Sequence, residues 1–146
     1  MTIEHIAITT ADIDRLSRFY SSHFGMEAET EITGSTGARI IFMHSPDGGA
    51  RIELMQKPQP ITQSTALSGN QFVDQSDSRT IGQTSIAPDG YVHMAFSAGS
   101  EDAVDALIQR LQASDVTILR QPRHTPSGSY LATIADPDGN PLEILP

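Results

Sequence analysis

The chain contains its own repeat, and that repeat constrains the fold more than any other feature. Glu4-His5-Ile6-Ala7-Ile8 matches Val92-His93-Met94-Ala95-Phe96, and Arg51-Ile52-Glu53-Leu54 matches Pro141-Leu142-Glu143-Ile144. The histidines are offset by 88 positions and the glutamates by 90, so the His-to-Glu spacing recurs at 48 and then 50 positions. A duplicated unit accounts for this better than chance does. Half of a 146-residue chain, about 60 to 70 residues, buries too little surface for comfortable stability alone. Two modules that fold together, 1–57 and 91–146 with 58–90 between them, make one domain.

The same order of elements is legible in each half. Residues 3–9 alternate loosely as a strand, after which Asp12 caps a helix whose Ile13, Leu16, Phe19, Tyr20 and Phe24 fall at helical spacing until Gly25 stops it. Residues 26–33, 37–45 and 50–55 read as three strands, joined at Gly34 and at the turn Pro46-Asp47-Gly48-Gly49. In the second half, residues 91–97 form a strand and Ser100 caps a helix with Glu101 and Asp102 in its first turn. Its apolar stripe is Val104, Leu107, Ile108 and Leu111. Strands over 116–121, 129–135 and 141–145 follow, the last turn being Pro137-Asp138-Gly139-Asn140. The predicted class is α+β, with two βαβββ modules forming a curved mixed sheet. Segment 58–90 is rich in Gln, Ser, Thr, Gly and Pro and reads as a linker, or as a lid whose Ile61, Leu67, Phe72, Val73, Ile81 and Ile86 pack over a pocket.

Strand side chains alternate between two faces. His5 therefore lies opposite Ile6 and Ile8, Glu53 opposite Ile52 and Leu54, His93 opposite Met94's face, and Glu143 opposite Leu142 and Ile144. Helices can cover the apolar faces, which leaves these four polar side chains on the concave side. A lone strand histidine is usually a hydrogen-bonded core residue, and a lone strand glutamate usually faces water. Four at equivalent places in a repeat point instead to one divalent-metal site. An unpartnered imidazole or carboxylate on a buried strand costs several kcal/mol, and two of each pair well with one cation. Nitrogen and oxygen donors without sulfur favour Zn, Ni, Co, Mn or Fe.

Composition narrows the partners. A formal charge of -9 with no basic patch argues against nucleic acid and against an anionic membrane surface. Lys57 is the sole lysine and eight arginines are dispersed, so an anionic substrate group must be held locally, with Arg51 and Arg123 as first candidates. Arg51 is equally suited to neutralise Glu53. His124 and Tyr130 lie near a Gly-containing turn from which they can reach a substrate, whereas His23, in the last helical turn where the dipole favours an imidazolium, and His44 read as structural or solvated. The absence of cysteine removes disulfides and thiolate chemistry and fits a cytoplasmic protein. Neither a basic-then-apolar start nor an apolar run of the roughly 18 residues that span a bilayer is present.

Together these features resemble the vicinal oxygen chelate superfamily, which includes glyoxalase I, fosfomycin-resistance proteins, extradiol dioxygenases and methylmalonyl-CoA epimerase. The resemblance covers nearly the whole length and rests on the repeat, on His5-Ile-Ala-Ile with Phe19-Tyr20 and Phe24-Gly25, on Arg51-Ile-Glu53, on His93-Met-Ala-Phe and on Asp136-Pro-Asp-Gly-Asn-Pro-Leu-Glu143. The His, Glu, His, Glu set is similar to that of short bacterial glyoxalase I, or lactoylglutathione lyase. That likeness implies one Ni or Zn ion per site, held by His5, Glu53, His93 and Glu143. It also implies a lyase or isomerase that moves a proton on a metal-chelated hemithioacetal of an α-ketoaldehyde and a thiol, or on a related α-hydroxycarbonyl. Glu143 is then the base, with Glu53 as ligand and partner base, while Arg51 and Arg123 hold a carboxylate and His124 and Tyr130 border the substrate.

The 40 positions from Glu53 to His93 exceed those of the short enzymes, and no clear glutathione-binding signature is present. Alternatives within the superfamily are an epimerase, whose branch usually has Gln in place of Glu53, an extradiol-type dioxygenase, which four protein ligands would crowd, and a non-enzymatic binding protein for an antibiotic or other small molecule. Open sheet edges and the habit of the superfamily predict a homodimer, with the site either within one chain or across two.

Overall fold

Local chemistry sets the ends of both helices. In the computed structural model, which describes residues 2–34, 37–56 and 93–146, the Asp12 side chain accepts a hydrogen bond from the Arg15 N–H at 3.0 Å and starts α1 (Ile13–Phe24). Gly25 ends it at φ 65°, a left-handed conformation that costs glycine little. Ser100 caps α2 (Glu101–Ala113) in the same way, accepting from the Ala103 N–H at 3.2 Å.

Each helix connects the first strand of a module to the rest. The first sheet contains β1 (His5–Thr10), β2 (Glu27–Ala28), β3 (Ile32–Thr33), β4 (Arg39–His44) and β5 (Arg51–Gln56), in the order β1-β5-β4-β2 with β3 also on β4. The second contains β6 (Met94–Ser97), β7 (Ile118–His124), β8 (Tyr130–Ala135) and β9 (Pro141–Leu145), in the order β6-β9-β8-β7. In both, the first strand runs parallel to the last and the other pairs are antiparallel. The class is mixed α+β, as expected, and both sheets belong to one compact unit. The linker or lid expected at 58–90, Lys57, and the first two residues of the strand expected at 91–97 lie outside the described residues.

The apolar parity read from the sequence fills the core. Ile13, Leu16 and Tyr20 of α1 are buried with Ile41, Met43, Ile52 and Leu54, while Val104, Ile108 and Leu111 of α2 are buried with Ala132, Ile134, Leu142 and Ile144. Burying one such aliphatic side chain contributes about 1.5–3 kcal/mol. Leu107, expected in the stripe, is only partly buried against this core. The two halves share it: the Phe24 and Phe96 rings are 4.5 Å apart, and the Tyr20 hydroxyl donates to the buried Asp136 carboxylate at 3.2 Å. Asp136 also accepts from the N–H groups of Asp138 and Asn140, so the turn that leads into β9 is tied to α1 of the other module.

Two local expectations differ from the structure. The strand expected over 26–33 is two short pieces, because its carboxylates are claimed from opposite sides. Glu29 pairs with Arg51 on one face of the sheet, while Glu31 pairs with Arg39, which also holds Asp14 of the covering helix. Residues two apart in a regular strand share a face, so the backbone has to depart from regularity between them. The second concerns His23, where an imidazolium was expected at the helix end. Partial burial, with Arg110 nearby, lowers its pKa and favours the neutral ring.

Candidate metal centre

Equivalent registers place the four expected ligands. β1 pairs with β5 so that Ala7 lies beside Glu53, and β6 pairs with β9 so that Ala95 lies beside Glu143. In each module the histidine stands two residues before that alanine, on the same face. The alanine side chains are small enough for a long glutamate to reach the imidazole diagonally. His5 Nε2 is 3.5 Å from Glu53 Oε2, and His93 Nε2 is 3.3 Å from Glu143 Oε2. The two pairs are also matched in exposure, with both histidine side chains at 41% and the glutamates at 15% and 20%. His93 directly precedes β6 rather than lying inside it.

These distances suit a shared cation. Two donors about 2.0–2.2 Å from one ion, at angles between octahedral and tetrahedral, stand about 2.8–3.6 Å apart. Among the described residues, however, no three His, Asp or Glu side chains gather in an ion-binding group. His5–Glu53 and His93–Glu143 are therefore two half-sets, one on each sheet.

The first half-set has an elaborate setting. His5 Nδ1 bonds the carboxylate of Glu4, and Arg51 bonds the other oxygen of Glu4 and both oxygens of Glu29, the latter at 3.1 Å each. The His5 ring and then Arg51 hold the Glu4 carboxyl below the usual carboxylate range. The Arg51 guanidinium lies 4.4 Å over the Phe42 ring, whose edge contact with His5 spans 5.6 Å. The pairing Phe42↔Glu53 confirms that this aromatic shares the ligand face. His44, from the same strand face, is 3.6 Å from Glu27 and 3.9 Å from Glu29. Arg51 thus takes Glu4 and Glu29 as its carboxylate partners. Glu4 was not singled out in the sequence, although its position next to His5 was the available signal.

The second half-set is sparsely attended. Thr133 of β8 is the cross-strand neighbour of Glu143, so it shares that face, while Leu142 and Ile144 point to the core. Tyr130 and His124 go the other way. The Tyr130 hydroxyl donates to Asp105 of α2 at 2.6 Å, which pushes the Tyr130 pKa up to about 12. His124 packs against the Tyr130 ring at 4.9 Å and lies 3.8 Å from Glu101. Both therefore sit against the helix, and the structure does not bring them to Glu143. Arg123 pairs with Leu131, which puts it on the ligand face with Thr133.

Comparison with known proteins bears on the fold and the family. The chain is 27% identical over 144 residues to the uncharacterized protein PA2024 of Pseudomonas aeruginosa, covering 98% of this chain and 86% of that one. Among solved structures, a lactoylglutathione lyase from Agrobacterium tumefaciens superposes with a TM-score of 0.63 at 24% identity, covering 99% of this chain and 92% of the other. The trypanothione-dependent glyoxalase I of Leishmania major gives 0.65 at 23% identity, with 99% and 86% covered. A glyoxylase/bleomycin resistance protein/dioxygenase domain from Frankia gives 0.70 at 19%, with 99% and 96% covered. At these identities the likeness to solved structures establishes the fold. Residues 2–144 match the Glyoxalase/Bleomycin resistance protein/Dioxygenase superfamily, and the chain belongs to it.

Proposed function

We propose that the protein is a divalent-metal-dependent lyase or isomerase of the glyoxalase I kind, working as a homodimer. Each site is built from His5 and Glu53 of one copy and His93 and Glu143 of a second. The observation that carries this reading is the presence of two matched His–Glu pairs on separate sheet faces, each spaced for a shared ion and each short of the four donors a closed set needs. A symmetric pair of chains would complete two such sets.

In this arrangement the two imidazoles offer Nε2 and the two carboxylates an oxygen each. A bound Ni or Zn ion supplies Lewis acidity to the substrate's oxygens. Glu143 takes a proton from the carbon beside the substrate carbonyl and returns it to the adjacent carbon, which is general acid–base work for a single carboxylate. Glu53 remains a ligand. Glu4 fixes which His5 nitrogen carries the proton, because a ring whose Nδ1–H is held by a carboxylate presents Nε2 as an acceptor. The substrate class is a hemithioacetal of an α-ketoaldehyde and a thiol, or a related α-hydroxycarbonyl.

Mixing variants tests the cross-chain site. His5→Ala and Glu143→Ala chains are each expected to be inactive with methylglyoxal plus glutathione or another thiol. After random subunit exchange the mixture should regain about a quarter of wild-type turnover, because about half of the dimers are mixed and each mixed dimer carries one intact site of two. Mixtures that stay silent would return all four ligands to one chain. A wild-type protein that takes up no Ni or Zn in calorimetric titration would overturn the metal reading itself.

A further inference from the structure

A glutamate that serves an ion and also carries a proton needs a second place for its carboxylate, away from the ion. The strand neighbours of Glu143 limit where that place lies. Among the residues next to it on its own face of the sheet, the polar ones are His93, Ser97 and Thr133. His93 stands on the ion side, with Nε2 3.3 Å from Glu143 Oε2. Ser97 is committed, since its hydroxyl donates to the Pro146 carbonyl at 3.0 Å. Thr133 is half-buried directly across from Glu143, on the flank away from His93, and its hydroxyl makes no hydrogen bond among the described residues. The first module differs at this place. The register that sets Thr133 opposite Glu143 sets Phe42 opposite Glu53, and the Phe42 ring is occupied by Arg51 and His5.

Resting on the lyase reading, we propose that Thr133 is a positioning residue for the base: its hydroxyl holds the Glu143 carboxylate when that group turns from His93 to the substrate. Directly opposed residues of an antiparallel pair have Cβ atoms about 4.5–5.5 Å apart, a gap that a glutamate side chain closes by rotating toward its neighbour. A hydroxyl serves both charge states, because it donates to a carboxylate and accepts from a carboxylic acid. The proton taken from the substrate carbon therefore stays on Glu143 until it passes to the adjacent carbon, and the threonine proton never leaves its oxygen. Phe42 offers Glu53 no such hydrogen bond. The two glutamates, alike in their pairing with histidine, are thus divided into ligand and base by the residue on the next strand.

Thr133→Val removes the hydroxyl and keeps the β-branched shape that suits a strand. Calorimetric titration of the Ni-loaded protein with acetohydroxamic acid gives a readout apart from turnover, because this chelator presents two oxygens and gives up one proton on binding, which Glu143 receives. The valine variant should bind it about tenfold more weakly, the usual loss for one hydrogen bond to a charged group, with nickel affinity unchanged. With methylglyoxal and glutathione, kcat should fall by a similar factor while KM stays within about twofold, the pattern of a contact made in the transition state. Thr133→Ser should restore both readouts, and Ser97→Ala should change neither. A valine variant that binds the chelator as tightly as wild type, or that loses nickel in step with the chelator, would overturn the positioning role. Wild-type protein that binds nickel and shows the Thr133 dependence in the titration, yet turns over no adduct, defeats the lyase reading alone. Full turnover and chelator binding by Thr133→Val defeat the positioning role alone.

Discussion

Module 1 and module 2 present the same His–Glu pair and furnish it in opposite ways. In the first, His5 is backed by Glu4, Glu4 by Arg51, and Arg51 by Glu29 and the Phe42 ring, so every charge near the ligand is committed. In the second, Glu143 has Ala95 and Thr133 as cross-strand neighbours, and Arg120 and Arg123 of the outer strand hold no carboxylate among the described residues. The same register makes a His–Glu pair in both modules, while the flanking positions give the first a crowded polar setting and the second a sparse one. A crowded setting suits a ligand that must stay put, and a sparse one suits a carboxylate that must move a proton and meet a substrate.

The largest test of that division replaces the two glutamates in turn. Glu143→Gln should keep the fold and much of the metal but lower turnover by about 10²- to 10⁴-fold, whereas Glu53→Gln should act mainly on nickel affinity and retain turnover at saturating metal. Steady-state rates measured against nickel concentration separate the two, and the opposite pattern would make Glu53 the base. A smaller effect is expected from the support of His5. Glu4→Gln should weaken nickel binding by about 10- to 100-fold, the usual range for losing a carboxylate behind a ligating imidazole. An unchanged calorimetric affinity would reduce the Glu4–Arg51–Glu29 chain to surface decoration.

The smallest effect contrasts the helix ends. α2 carries Arg110 in its last turn where α1 carries His23, and Arg110 donates to the His23 carbonyl at 2.9 Å. The pKa of His23 is lowered in the folded state, first by burial and then by that arginine. Unfolded chains, with an ordinary imidazole near 6.5, therefore bind more protons than folded ones just below that value. Stability contributed by the neutral ring is complete above about pH 6.5 and is lost as pH falls toward the folded value. His23→Gln should flatten the thermal midpoint between pH 7 and pH 5 by a few degrees at most. A His23→Gln profile that parallels wild type across this window would mean that the ring does not couple to folding.

Much of this was legible in the sequence because the repeat and the strand parity are both short-range signals. His5 two positions before Ala7 and His93 two before Ala95 already encode the diagonal approach to Glu53 and Glu143, and the alternating Ile52-Glu53-Leu54 and Leu142-Glu143-Ile144 encode which side is core. The outer strands were less legible because their irregularity arises from competition between distant groups. The break between Glu29 and Glu31 reflects the separate pull of Arg51 and Arg39, which neighbouring residues do not announce. On β7 the strand expected over 116–121 stops before Pro122, whereas the observed strand runs from Ile118 to His124, and its register shifts depend on pairing with β8. Tyr130 was misdirected for the same reason: Asp105 on the helix holds its hydroxyl, a contact set by packing and not by spacing.

Dividing ligands between two sheet faces has a thermodynamic consequence if a second copy completes the set. An ion that binds only the associated form must tighten association by the same factor by which association tightens the ion, since the coupling is reciprocal. Dilution and metal scarcity then become a single stress: either one releases subunits and cargo together by mass action. Such a protein would report on metal supply through its own quaternary state, with no dedicated sensor beyond the two half-sets each copy carries.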